Sequence, residues 1–123
     1  MVWVLFVSTT LNCLSAKSID TDTLAIEQQQ QFLYYFYEAE RLIQLQKIEE
    51  AKPVVEFCYA LNPNDATINN YMGLYAQAEQ DTSAMATYFR RAYELNPKEY
   101  WYNHHVLQLQ SDNKKVQQQA VQQ

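Results

Sequence analysis

Cys58-Tyr59-Ala60-Leu61-Asn62-Pro63 returns thirty-four residues later as Ala92-Tyr93-Glu94-Leu95-Asn96-Pro97. Each copy reads as a helix end running into a turn, because Pro cannot continue a helix and pushes the residue before it out of helical backbone. The same offset pairs Tyr37 with Tyr71, Ala39 with Gly73, and Val55 with Phe89. A fixed period of this length marks stacked supersecondary units, none of which can bury its apolar face alone. Composition points to helices. The chain has 123 residues, one Gly and three Pro, with 48% hydrophobic and 14% aromatic residues. That is too few chain breakers for a turn-rich all-β fold and too much apolar surface for disorder.

Working outward from the echo, Phe32, Tyr35, Phe36, Ala39, Leu42 and Ile43 recur at helical spacing and predict a helix to about Gln46. A second helix is expected over Ile48 to Leu61, burying Ala51, Val54, Val55, Cys58 and Leu61. Glu49 and Glu50 fall in its first turn, where negative charge suits the helix dipole. Pro53 is read as close enough to the start for its missing N–H to cost little. Asn62-Pro63-Asn64-Asp65 forms the turn, with Asp65 as N-cap. Ala66 to Glu79 is the third helix and carries Gly73, the one glycine. Gly in mid-helix costs about 1 kcal/mol against Ala, a cost that a closely approaching neighbour would justify. Asp81, Thr82 or Ser83 caps a fourth helix to Leu95. It buries Ala84 or Met85, Tyr88, Phe89 and Ala92, and turns Arg90 and Arg91 outward. Lys98 to Gln110 opens a fifth, with Tyr100, Trp101, Val106, Leu107 and Leu109. Ser111-Asp112-Asn113-Lys114-Lys115 reads as a turn. The Gln-rich end from Val116 is either a capping helix or a frayed tail.

This arrangement resembles the tetratricopeptide-repeat family, whose unit is a helix–turn–helix with a small residue after a large one, then Ala-x-x-x-Phe, then Pro. The second unit matches with Met72-Gly73, Met85 and Phe89, Ala92 and Pro97; the first with Glu38-Ala39, Ala51 and Val55, Cys58 and Pro63. The family's Trp is replaced by Tyr35 and Asn69, and one of its alanines by Met85. The resemblance runs from Phe32 to the end. It implies an all-α solenoid of about two and a half repeats: unit 1 over 32–65, unit 2 over 66–99, and a partial third unit or cap over 100–123. It resembles small exported bacterial members of the family.

The N-terminus carries a different signal. Met1 to Val7 is apolar, small and polar residues follow, and Lys17-Ser18 comes next. The pattern reads as a secretory signal peptide over 1–16, which places the mature chain in the periplasm or cell envelope; without cleavage the chain would be cytoplasmic. The apolar run is too short to span a bilayer. Membrane attachment would require lipidation at Cys13, and Leu11-Asn12-Cys13 makes a poor lipid-attachment box. Residues 17–31 form a polar spacer with Gln28 to Gln31. Asp20, Thr21, Asp22 and Thr23 are N-cap candidates there, and the later half extends the first helix backwards.

No catalytic constellation is found, and a non-catalytic chain without cofactor or metal is expected. His104 and His105 are adjacent, so on a helix they diverge by about 100° and lack the i, i+4 spacing of a metal pair. One Gly cannot build a phosphate-cradling loop. Cys58 sits where a small buried residue belongs. The formal net charge of −5 lacks the basic footprint of a nucleic-acid binder. What the resemblance implies is partner binding on the concave face lined by first helices. Columns at the repeat spacing bring together Leu33, Thr67 and Trp101; Phe36, Asn70 and His104; and Glu40, Leu74 and Gln108. The residues expected to bind a protein or peptide are Leu33, Phe36, Glu40, Asn70, Leu74, Gln77, Trp101 and His104. Relatives that clamp a chaperone's C-terminal carboxylate use Lys, Arg and Asn here. Only Asn70 fits that set, so such a clamp is not expected. The alternative is a self-associating truncated solenoid, or a fragment of a larger repeat protein, exposing Trp101, Val106 and Leu109.

Overall fold

The computed structural model describes the backbone of residues 7–122 and the side chains of 25–122. The described chain is all helical: α1 Val7–Gln44, α2 Ile48–Leu61, α3 Ala66–Ala78, α4 Thr82–Leu95 and α5 Tyr100–Val121. The apolar run Met1 to Phe6 lies outside the described residues, and so does the side chain of Cys13. Two compact units divide at Tyr34/Tyr35. In the first, helix runs through the Gln-rich spacer, and the four N-cap candidates at 20–23 lie inside α1 rather than at a helix start. Gln is a good helix former, and a polar stretch without Gly or Pro offers nothing to stop the helix.

The second unit, from Tyr35 on, repeats its backbone at thirty-four residues. α1 ends with Gln46 N–H on Ile43 O at 3.0 Å and Lys47 N–H on Leu42 O at 2.9 Å. α3 ends the same way, with Gln80 N–H on Gln77 O at 3.1 Å and Asp81 N–H on Ala76 O at 2.9 Å. Gln46 and Gln80 both take φ 61. This is the left-handed close of a Schellman motif, usually given to Gly. α2 and α4 close with Asn62 N–H on Cys58 O and Asn96 N–H on Ala92 O, both Asn at φ −146. Asp65 caps α3 through Ile68 N–H at 2.9 Å, and Asp81 caps α4 through Ala84 N–H at 3.1 Å.

The buried set is small and regular. Ala39, Ala51, Val55, Cys58, Ile68 and Ala92 are fully buried, with Phe89 nearly so. A Cβ on Gly73 would stand 2.5 Å from Phe89 Cε1 and closer still to Cδ1. The glycine thus lets α4 press its largest ring onto α3. Buried Asn69 donates its amide to Pro63 O at 2.9 Å and Asp65 O at 2.8 Å. It therefore locks the turn before α3. Helices touch both their next and next-but-one neighbours. Tyr75 Oη donates to Ile48 O at 2.7 Å between α3 and α2, and Lys52 pairs with Glu79. These contacts join the start of α2 to the end of α3, so the two run antiparallel. Tyr59 meets Tyr88 edge-on between α2 and α4. Thr67 and Asn70 of α3 meet Tyr102 and His105 of α5 in order, so those two helices run parallel.

Four expectations are corrected. The turn expected at 111–115 is helical, and α5 runs on to Val121. Val116, Ala120 and Val121 are too few to fold a further helix back against the core, so the helix simply continues. Pro53 is the sixth residue of α2, beyond the orphan N–H groups, since Ala51 N–H already bonds Lys47 O. Its missing donor therefore leaves Glu49 O without its helical partner. Arg91 does not simply face out: its guanidinium bonds Asn64 Oδ1 at 2.7 Å and Glu94 at 3.3 Å. Leu109 is buried and Val106 half-buried, so neither offers the free surface expected of it. Arg90 and Trp101 are exposed.

Candidate partner-binding face

The first helices of the repeat meet along one line of contacts. Tyr71 Oη of α3 donates to Glu40 Oε1 of α1 at 2.5 Å. Burial, then the Glu40 carboxylate, drives the Tyr71 phenol well above its ordinary pKa, so the tyrosine stays a hydrogen-bond donor at any physiological pH. Asn70 Oδ1 lies 3.2 Å from His105 Nδ1, and Thr67 Oγ1 lies 3.4 Å from Tyr102 Oη. His105 also stacks on Phe89, with centroids 4.2 Å apart and planes at 25°. This imidazole is thus built into the packing of α5 on α3 and α4. Burial, then the neighbouring His104, lowers its pKa.

Between α1 and α3 opens a small apolar pocket of about 140 Å³ lined by Ile43, Ile48, Tyr71, Leu74, Tyr75 and Ala78. Leu74 is 40% exposed there and Ile48 41%. Helical spacing explains the lining: Tyr71, Leu74, Tyr75 and Ala78 are i, i+3, i+4 and i+7 on α3. The Schellman turn at Gln46 then brings Ile48 round beside Ile43.

The sequence-derived residues distribute as follows. Leu74 lines the pocket, and Glu40 stands one turn before Ile43 with its carboxylate on Tyr71. Asn70 and Phe36 are half-buried, Asn70 against His105. Gln77 is exposed and gives its main-chain oxygen to the α3 turn. Trp101, 60% exposed, and His104 form a cluster on α5 with Tyr100: Tyr100–Trp101 centroids lie 5.3 Å apart, and Trp101–His104 6.1 Å. Leu33, in the first unit, is exposed. Gln108 is exposed and Thr67 half-buried. Sequence reasoning missed Ile43, Ile48, Tyr71, Tyr75 and Ala78 as lining, and His105 as the partner of Asn70. The i+3/i+4/i+7 ladder from Tyr71 was available to find Tyr75 and Ala78.

Cys58 is a free, fully buried thiol, pushed up to about 11 by burial and then by Asp65. Among the described residues there is no group of His, Cys, Asp or Glu able to hold a metal. None of the described helices is long and apolar enough to cross a membrane. Comparison with protein-family models, with curated proteins and with solved structures finds no match.

Proposed function

We propose that the chain is a non-catalytic tetratricopeptide-type repeat module that holds a peptide segment of a partner protein against the face made by α1, α3 and α5. The reading is carried by the apolar pocket around Leu74, placed between two helices that occupy the same position in the thirty-four-residue unit. The helix closures repeated at thirty-four residues support the solenoid, and the Gly73–Phe89 contact shows the close packing of one helix pair on which stacking would build. A crosslinking amino acid placed at Leu74 or Trp101, with Arg90 of α4 as control, tests it. Discrete adducts from the first two positions and none from the third are expected; equal or absent labelling at all three defeats the reading. The N-terminal pattern adds export to the proposal: the chain recovered from cells should begin near Lys17, and a chain beginning at Met1 would make it a cytoplasmic module.

A second reading has its own observation. Tyr100, Trp101 and Leu107 of α5 are all exposed. Apolar surface of this kind favours self-association, which would make the chain an assembly element.

A further inference from the structure

Two carboxylates next to pocket residues in sequence or by hydrogen bond, Glu40 and Glu49, form no ion pair among the described residues. Glu40 sits one turn before Ile43 on α1. One of its oxygens takes the Tyr71 hydroxyl, and it enters no ion pair among the described residues. Glu49 follows Ile48 directly and lies near enough to the Tyr75 phenol to help raise its pKa, after burial. It too has no ion-pair partner among the described residues. The nearby cations already pair with other carboxylates, Lys47 with Glu50 and Lys52 with Glu79, and Glu49 is a minor part of the field on Lys52. The apolar hole therefore has near it two carboxylates that enter no ion pair among the described residues, on a chain of net charge −5. A dry cavity of roughly 150 Å³ holds a benzene-sized group, so this pocket suits one Leu, Met or Phe side chain. Charge at a rim steers and selects more than it holds.

We infer that the segment bound here is basic: an apolar anchor enters the pocket lined by Ile43, Leu74 and Ala78, and a Lys or Arg beside it reaches Glu40 or Glu49. The inference rests on the peptide-binding reading above and adds the chemistry of the partner. It predicts the opposite preference to a carboxylate clamp.

The test is selection of random twelve-residue peptides displayed on phage against the full chain. Enriched peptides with a large apolar residue within three positions of Lys or Arg are the expected result. Leu74→Asp should abolish their binding. The E40Q/E49Q pair, which keeps an acceptor for Tyr71, should weaken binding about tenfold at low salt and much less at high salt. The melting temperature of each variant shows that the fold is intact, and Leu74 is exposed enough to change without loss of core. Enriched peptides that are acidic or uncharged, or that bind the double variant equally well, overturn the inference and leave peptide binding standing. No enrichment at all overturns both. If the chain instead sediments as a dimer that Leu74→Asp splits, a second copy fills the pocket and the inference fails.

Discussion

Gly73 is the residue on which the helix packing turns. Its missing side chain is replaced by the ring of Phe89, which is 2% exposed and is stacked by His105. The ring cannot retreat when a methyl group arrives 2.5 Å from Cε1. Overpacking of this kind costs about 1–3 kcal/mol, whereas Ala regains about 1 kcal/mol of helix propensity over Gly. The steric cost should win. Gly73→Ala is expected to lower the urea midpoint, and Phe89→Leu in the Gly73→Ala background should be less harmful than the two changes added separately. An unchanged or raised midpoint would mean that α3 and α4 do not meet as described. Asn69 shows a different lesson at this scale. Where the resembling family carries a Trp, the side chain present uses its amide to fasten Pro63 and Asp65.

At the scale of the element, one contact that holds α5 runs through a group that titrates near neutrality. His105 reaches Asn70 and Phe89, and His104 is the charge beside it. Its folded pKa lies below the ordinary 6.5, so the unfolded chain takes up the proton more readily. The stability it supports is complete above that ordinary value and is lost as pH falls through the folded pKa. Melting temperature should therefore drop by a few degrees between roughly pH 7.5 and 5.5, the range in which histidine titrates. His105→Phe should flatten this dependence, and His104→Gln should reduce it only slightly. A profile unaffected by His105→Phe would place the titration elsewhere. Beyond Leu109 every described residue of α5 is exposed. A chain stopped after Ser111 should melt at the same temperature as the full one by circular dichroism. A large fall would show that the last turns of α5 pack on something.

At the scale of the molecule, what could be read from the sequence was the period and the helix boundaries it fixes. Asn62-Pro63 and Asn96-Pro97 mark two helix ends through backbone chemistry that does not depend on tertiary context. Asp65 and Asp81 mark two starts. Gly73 declared a close neighbour, because a mid-helix glycine without one is only a loss. The legible part ended where local signals depend on what lies opposite. Ser111 to Lys115 looks like a turn, but a turn needs an amphipathic partner beyond it, and the Gln-rich end has none. Which of His104 and His105 packs inward depends on a rotation of about 100° that only the Phe89 ring decides. The pocket was half visible: Leu74 and Glu40 stood out, but Ile48 enters only because Gln46 turns the chain back upon itself.

Those turns carry one more consequence. The bonds closing α1 and α3 and the two asparagine ends of α2 and α4 recur at a shift of one unit. On the repeat reading proposed above, residues 66–99 form a cassette. A second copy of that block inserted after position 99 is expected to lengthen the molecule by one helix pair and to keep a single cooperative melt by circular dichroism. Length would then be a property that duplication alone can adjust.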